Sequence, residues 1–266
     1  MQIVISLITH RASGLGRATA IELSRDGGNI SILDLNEDAG VELVKQLGGD
    51  SRARFFAVDV TDTESVAAAV AGTAEWISQT GKPLGGIIPA AGVANPGLIL
   101  DSKQRPLPLQ SLDLVLAVNL RGTLDVTRQF LPHLTRSSST PQGDGGDDER
   151  GVVVMISSSA AFDGQMGQTA YAASKGAVAA MTLPLTRDLS RFGVRVVTIA
   201  PGAFETPMAS MMDSKVRAGL ERAMEFPRRA GTAPEFAALV RHVVENVMLN
   251  GCVIRLDGGA RMPSRL

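Results

Sequence analysis

Residues 2–34 read QIVISLITHRASGLGRATAIELSRDGGNISILD, and this stretch sets the architecture. QIVISLIT is short, apolar and rich in β-branched residues, as a buried strand is. THRASGLG, Thr9 to Gly16, then forms a Gly-rich turn and opens a helix over about 14–26, which Gly27 and Gly28 stop. ISILD follows as a second strand, completing a βαβ unit. At such a turn the backbone N–H groups and positive end of a helix can meet the phosphates of a nucleotide. Gly14 and Gly16 leave room for close approach, and Ser13 adds a hydroxyl. A Gly pair here also occurs where the chain merely needs positive φ. Asp34, ending the second strand, is the second piece: a carboxylate there accepts both ribose hydroxyls and repels a 2′-phosphate, which selects NAD(H) over NADP(H). Its competing reading is the N-cap of the next helix.

The same alternation continues outward. Strands are expected at 2–9, 30–34, 54–58, 85–90, 152–157, 194–200 and 252–256, with helices at about 37–47, 63–79, 109–134, 168–192, 212–225 and 234–248. Repeated βα winding implies an α/β fold, a doubly wound, seven-stranded parallel sheet with helices on both faces. Thr61 followed by Glu64 reads as a capping box and Gly193 as a helix stop, while Pro184 should bend helix 168–192 without breaking it. Residues 1–266 read as one domain, with a cofactor half at about 1–135 and a catalytic half at about 151–266. Between them, RSSSTPQGDGGDDER at 136–150 is polar and acidic and is expected to be a mobile loop.

Composition narrows the function. Net charge is −1 with acids and bases interspersed, so no basic footprint for nucleic acid and no polybasic membrane patch is present. No apolar run approaches the length of a membrane span. One cysteine, Cys252, excludes an intrachain disulfide and gives no Cys-rich metal pattern, so no metal is expected. With no recognisable leader at the N-terminus, cytoplasm is the expected location, or mitochondria if a leader is missing.

The chemistry is carried by YAASK. Tyr171 is the only tyrosine, Lys175 follows four residues later, and Ser158 sits in the Ser157–Ser159 triplet ending strand VVVMIS. On a helix the phenol and ammonium share a face. A free phenol has a pKa of about 10, and a fixed cation that stabilises the phenolate turns it into a usable acid and base for alcohol/ketone interconversion. An ordinary surface pair is the bland alternative. Asp59, at the end of strand ARFFAVD, and Val60 are placed to touch an adenine, although Asp59 also suits a cap before TDTES.

At these residues the chain resembles the short-chain dehydrogenase/reductases over essentially its full length. The Gly-rich turn, Asp59-Val60, AAG at 90–92, VNLRG at 118–122, Ser158, YxxxK at 171–175 and PG at 201–202 occur in the family's order. AAFDGQMGQTAYAASKGAVAAMTLPLTRDL, VRVVTIAPGAFETP and LNGCVIRLDGGARM are similar to one subgroup, the type 2 3-hydroxyacyl-CoA dehydrogenases, also called type 10 17β-hydroxysteroid dehydrogenases. The resemblance implies a homotetrameric, NAD-dependent oxidoreductase of fatty-acid metabolism acting on short-chain 3-hydroxyacyl-CoA esters, and more loosely on steroids and other alcohols. It implies that Tyr171 exchanges the hydroxyl proton, Ser158 orients the same oxygen, and Lys175 lowers the tyrosine pKa and binds the nicotinamide ribose. Asn119 would hold a water linking Lys175 to solvent, its bland alternative being local backbone bonding. Ser13, Leu15, Asp34, Asp59, Val60, Ala90, Phe204 and Thr206 would line the cofactor, with Phe204 equally suited to packing.

The sequence departs from the family pattern at His10 and Arg11, where a glycine and a small residue are usual, at Pro89, where an Asn-containing turn is usual, and in the acidic loop. A side chain at His10 is expected to weaken NAD binding. Pro89 supplies no N–H. CoA is polyanionic, and Arg228, Arg229, Lys215 and Arg217 are candidate contacts or plain surface charges; Met208, Met211, Met212 and Met224 suit a flexible lid or ordinary core. Rival functions are a steroid or other alcohol dehydrogenase, a 3-oxoacyl-carrier-protein reductase, which would favour NADPH, and a cofactor-impaired binding protein without catalysis.

Overall fold

The computed structural model describes residues 2–6, 14–136, 149–206 and 219–262. The expectations for His10, Arg11 and Ser13, for most of the acidic loop, and for Met208, Met211, Met212, Lys215 and Arg217 lie outside the described residues.

Seven strands form one sheet in the order β3-β2-β1-β4-β5-β6-β7: β1 Gln2–Ser6, β2 Asn29–Asp34, β3 Ala53–Ala57, β4 Leu84–Pro89, β5 Gly151–Ile156, β6 Val194–Pro201 and β7 Val253–Leu256. Every pairing is parallel. The order reverses between β1 and β4, and ligands of open α/β sheets bind at the carboxyl ends beside such a switch. Both faces are covered. Val152, Val154 and Ile156 of β5 join one core with Ala20, Leu23, Phe236 and Val240. Val153 and Met155 point the other way, into a second core with Val66, Val126, Phe130 and Val178. Alternate side chains of one strand thus feed two cores, the pattern of a sheet sandwiched between helical layers.

The helices are α1 Gly14–Arg25, α2 Glu37–Gln46, α3 Thr63–Thr80, α4 Leu109–Leu116, α5 Thr123–Arg136, α6 Thr169–Leu189 and α7 Ala233–Glu245. In the region expected to be a helix at 212–225, residues 219–222 are helical. α1 stops where expected, with Gly27 at φ +85° and the Gly28 N–H bonded to Leu23 O at 3.1 Å. α6 runs through Pro184, and Gly193 at φ +67° ends the short 3-10 turn that follows.

Three local expectations are corrected. The span 109–134 is not one helix: a π-helical turn, Ala117–Gly122, separates α4 from α5. There Gly122 lies so close to Val60 that a Cβ would sit 2.9 Å from its side chain, and the Thr123 hydroxyl bonds Asn119 O at 2.8 Å. α3 is capped by Asp62, which accepts from Glu64 N at 3.0 Å, whereas the Thr61 hydroxyl is drawn to Asp59 at 2.7 Å. α7 ends at Glu245 rather than 248, because Asn246 is extended and the buried Arg195 guanidinium takes the Val243, Val244, Asn246 and Leu249 carbonyls.

Candidate active site

β5 and α6 build the centre. Ser158 follows β5 in an extended conformation and opens the 3-10 turn Ser159–Ala161, its Oγ accepting from Ala160 N at 3.1 Å. The neighbouring Ser157 Oγ donates to Lys175 O at 2.7 Å, and Lys175 Nζ donates back to Ile156 O at 2.9 Å. These two bonds fix the register of α6 against the end of β5. One helical turn before the lysine, Tyr171 places its ring with the centroid 5.9 Å from Nζ, and its hydroxyl hydrogen-bonds Ser158. The structure therefore brings Ser158, Tyr171 and Lys175 together.

Burial dominates their electrostatics. Tyr171 keeps part of its surface open, yet burial pushes its pKa above the ordinary value, with the Ser158 hydrogen bond acting weakly in the opposite direction. Lys175 is 4% exposed, and burial lowers its pKa to about 8. Lys175 was expected to pull the phenol down. The influences on the phenol here are burial, which raises its pKa, and the Ser158 hydrogen bond, which lowers it; the ammonium itself is directed at the Ile156 carbonyl.

Asn119 is fully buried in the π turn and does not bond locally. Its Oδ1 accepts from Val93 N at 2.8 Å, while Nδ2 donates to Val93 O and to Ser174 Oγ, each at 3.0 Å. Ser174 Oγ in turn donates to Tyr171 O at 2.7 Å. Sequence reasoning missed Val93 and Ser174 in this chain from beyond β4 through Asn119 to the first turn of α6, and separately the Ser157 bond to Lys175. For Ser174 a signal existed: it lies three residues after Tyr171, on the same helix face.

On the cofactor side, Gly14 opens α1 at φ +70°, with Leu15 half-buried and Gly16 buried. Asp34 ends β2 with no exposed surface. It is not the helix cap: Asn36 caps α2, and Asp34 Oδ1 accepts from Asn36 N at 2.9 Å. Asp59 does act as a turn-former, accepting from Thr61 N at 2.8 Å and from the Thr61 hydroxyl. Val60 is buried against Gly122, and Ala90 packs on the core at the end of β4. Pro89 stays within β4 and paired to β1, while the β4–β5 register ends at Ile87 and Val153. Phe204 packs edge-on to Phe236 with centroids 6.0 Å apart, which is its packing role; Thr206 lies two residues beyond. Of the proposed CoA contacts, Arg229 is engaged by both oxygens of Glu235, at 2.9 and 2.6 Å, and Arg228 is exposed.

The residues fit a dinucleotide. The Lys175 ammonium has three protons, and among the described residues only Ile156 O accepts one. A buried ammonium needs further acceptors, which ribose hydroxyls supply. Gly92 keeps the approach open: a Cβ there would sit 3.3 Å from Nζ. Among the described residues no three His, Cys, Asp or Glu side chains converge to hold a metal, and no helix is long and apolar enough to cross a membrane.

Comparison with known proteins agrees with this geometry. The short chain dehydrogenase profile matches residues 4–217. A 3-hydroxyacyl-CoA dehydrogenase type-2 of Drosophila melanogaster is 42% identical over 97% of both chains. One of Homo sapiens is 38% identical over 97% of this chain and 95% of its own. The crystal structure of 3-hydroxyacyl-CoA dehydrogenase type-2 from Mycobacterium avium superposes with a TM-score of 0.88 at 33% identity, covering 99% of this chain and 97% of its own. With the Ser158, Tyr171 and Lys175 geometry and a profile match over most of its length, the chain belongs to the short-chain dehydrogenases, oxidoreductases that work with a nicotinamide cofactor.

Proposed function

We propose that the protein is an NAD-dependent 3-hydroxyacyl-CoA dehydrogenase, interconverting 3-hydroxyacyl-CoA and 3-oxoacyl-CoA, and that it assembles as a homotetramer. The observation that carries the chemistry is the Tyr171 hydroxyl held by Ser158 beside a buried lysine whose ammonium, among the described residues, bonds Ile156 O alone. The substrate class is supported by the names of the relatives. The choice of NAD is supported by Asp34, whose carboxylate would repel a 2′-phosphate.

In the oxidising direction Tyr171, as phenolate, takes the proton from the substrate hydroxyl while Ser158 donates a hydrogen bond to the same oxygen. The nicotinamide supplies the acceptor for the hydride leaving the carbinol carbon. In reverse, Tyr171 returns the proton to the developing alkoxide. The raised pKa favours this neutral, proton-donating form. Lys175 would hold the cofactor's ribose with the protons it does not give to Ile156 O. Both amide protons of Asn119 are occupied, by Val93 O and Ser174, so it serves by fixing these groups. Any water it holds through this side chain bonds Oδ1.

The test is reduction of acetoacetyl-CoA followed by loss of NADH absorbance. Tyr171→Phe should lower turnover by roughly 10²–10⁴-fold, the usual contribution of a positioned acid, with NADH affinity nearly unchanged. Wild-type inactivity on acyl-CoA with robust turnover of a steroid or simple alcohol would overturn the substrate assignment. A preference for NADPH would overturn the cofactor assignment.

A further inference from the structure

The loop between Ser158 and Tyr171 is tied to the C-terminal turn by an ion pair that the chemistry above does not use. Asp163 is the second residue past the 3-10 turn, and its N–H bonds Ser159 O at 2.9 Å. Its carboxylate receives Arg255 Nη2 at 2.5 Å and the Met262 N–H. Arg255, on β7, also donates from Nε to Asp257 at 2.6 Å and from Nη2 to Ala260 O at 3.0 Å, and its guanidinium lies 5.2 Å from the Phe162 ring centroid. The turn it braces reaches in two other directions. Gly202, after β6, packs so closely on Asp257 that a Cβ would lie 2.8 Å from its side chain. Gly258 O accepts from Glu225 N at 3.1 Å and Phe226 N at 3.2 Å.

We infer that the Arg255–Asp163 pair positions the Ser158 turn for the reaction, anchoring it to the same C-terminal turn that holds the 225–226 segment. The inference rests on the proposed role of Ser158. The rest of the 159–168 loop is held largely by its own backbone and by neighbours: Gly164 packs on Ala172, and Gly167 O accepts from Gly97 N at 2.9 Å. Asp163 thus gives the loop an ion pair to a remote strand, beside the Phe162 ring contact with the same Arg255, and through the loop it orients the Ser158 hydroxyl. It acts through Ser158 and is a positioning residue.

The experiment compares Asp163→Asn, Asp163→Glu and Arg255→Lys with wild type on whichever carbonyl substrate the wild type reduces, with Glu149→Gln as control. The control breaks the Arg195 ion pair away from the site. Because a misplaced catalytic group costs one to two orders of magnitude, Asp163→Asn should lower kcat about tenfold or more with the KM for NADH unchanged. Asp163→Glu should recover most of this loss and Arg255→Lys part of it. Glu149→Gln should lower Tm without lowering kcat. Wild-type kinetics test the substrate reading separately, since the variants are read only as ratios to wild type. The inference is overturned if Asp163→Asn retains kcat within twofold, or if kcat, NADH affinity and Tm fall together in all three variants. If Asp163→Asn does not fold, Arg255→Lys is read alone against the same two criteria.

Discussion

Replacing Lys175 with Met should make the protein more stable at neutral pH while abolishing turnover. The Met side chain keeps the apolar stem of a residue that is 4% exposed. Burial holds the folded-state pKa at about 8, against 10.5 for an unperturbed lysine. Below pH 8 both folded and unfolded chains bind the proton, and the folded state bears the full cost of a buried charge. At about 1.4 kcal/mol per pKa unit this cost is about 3 kcal/mol. Between the two pKa values the unfolded chain binds more protons, so wild-type stability rises with pH until the cost has gone. The variant removes the charge but leaves Ile156 O without its donor, which costs about 1 kcal/mol. Lys175→Met should therefore be more stable than wild type by about 2 kcal/mol at pH 7, with the difference vanishing near pH 10. Urea unfolding of both proteins at one protomer concentration from pH 7 to pH 10 measures it. Tyr171, present in both, largely cancels from the difference. A difference that stays level over this range, or widens in favour of the variant as pH rises, would refute the reasoning.

Other perturbations separate the cofactor side from the scaffold. Asp34→Asn keeps an acceptor for Asn36 N but removes the charge; NADH affinity should fall about tenfold and NADPH affinity rise, as read by fluorescence titration. Arg195→Met breaks the ion pair to Glu149 and releases four carbonyls around the end of α7; it should cost about 3–5 kcal/mol in urea unfolding while leaving kcat per folded protomer unchanged. His10→Gly should tighten NADH binding, and equal affinities for variant and wild type would dismiss the expected clash in the turn.

The sequence made the winding legible because each βα unit carries its own signals: an apolar run, a glycine stop, a capping residue. Strand ends at Asp34, Pro89, Ile156 and Pro201 fall within a residue or so of the expected positions, and the proximity of Tyr171 to Lys175 follows from helical spacing alone. What could not be read were bonds between distant segments. Asn119 resembles a local backbone bonder in any window, and only the folded chain brings it to Val93 and Ser174, 26 and 55 residues away. Arg229 offers a free cation to CoA on paper, yet Glu235, six residues on, already holds it.

The active-site pKa values show the same division more sharply. Spacing established that an ammonium would lie near the phenol, and charge proximity alone argues for a lowered tyrosine pKa. The sign depends on how much water each group loses, a property of the packing around β5 and α6. There desolvation wins at both residues, raising Tyr171 and lowering Lys175. The consequence is directional. A site that holds a neutral phenol is set to donate a proton, as carbonyl reduction requires. For alcohol oxidation the phenolate has to be stabilised, and among the described residues the cation held beside the ring is Lys175, whose pKa burial lowers to about 8. The readiness of Tyr171 to release or accept a proton therefore turns on how a bound cofactor and substrate change the desolvation of these two groups.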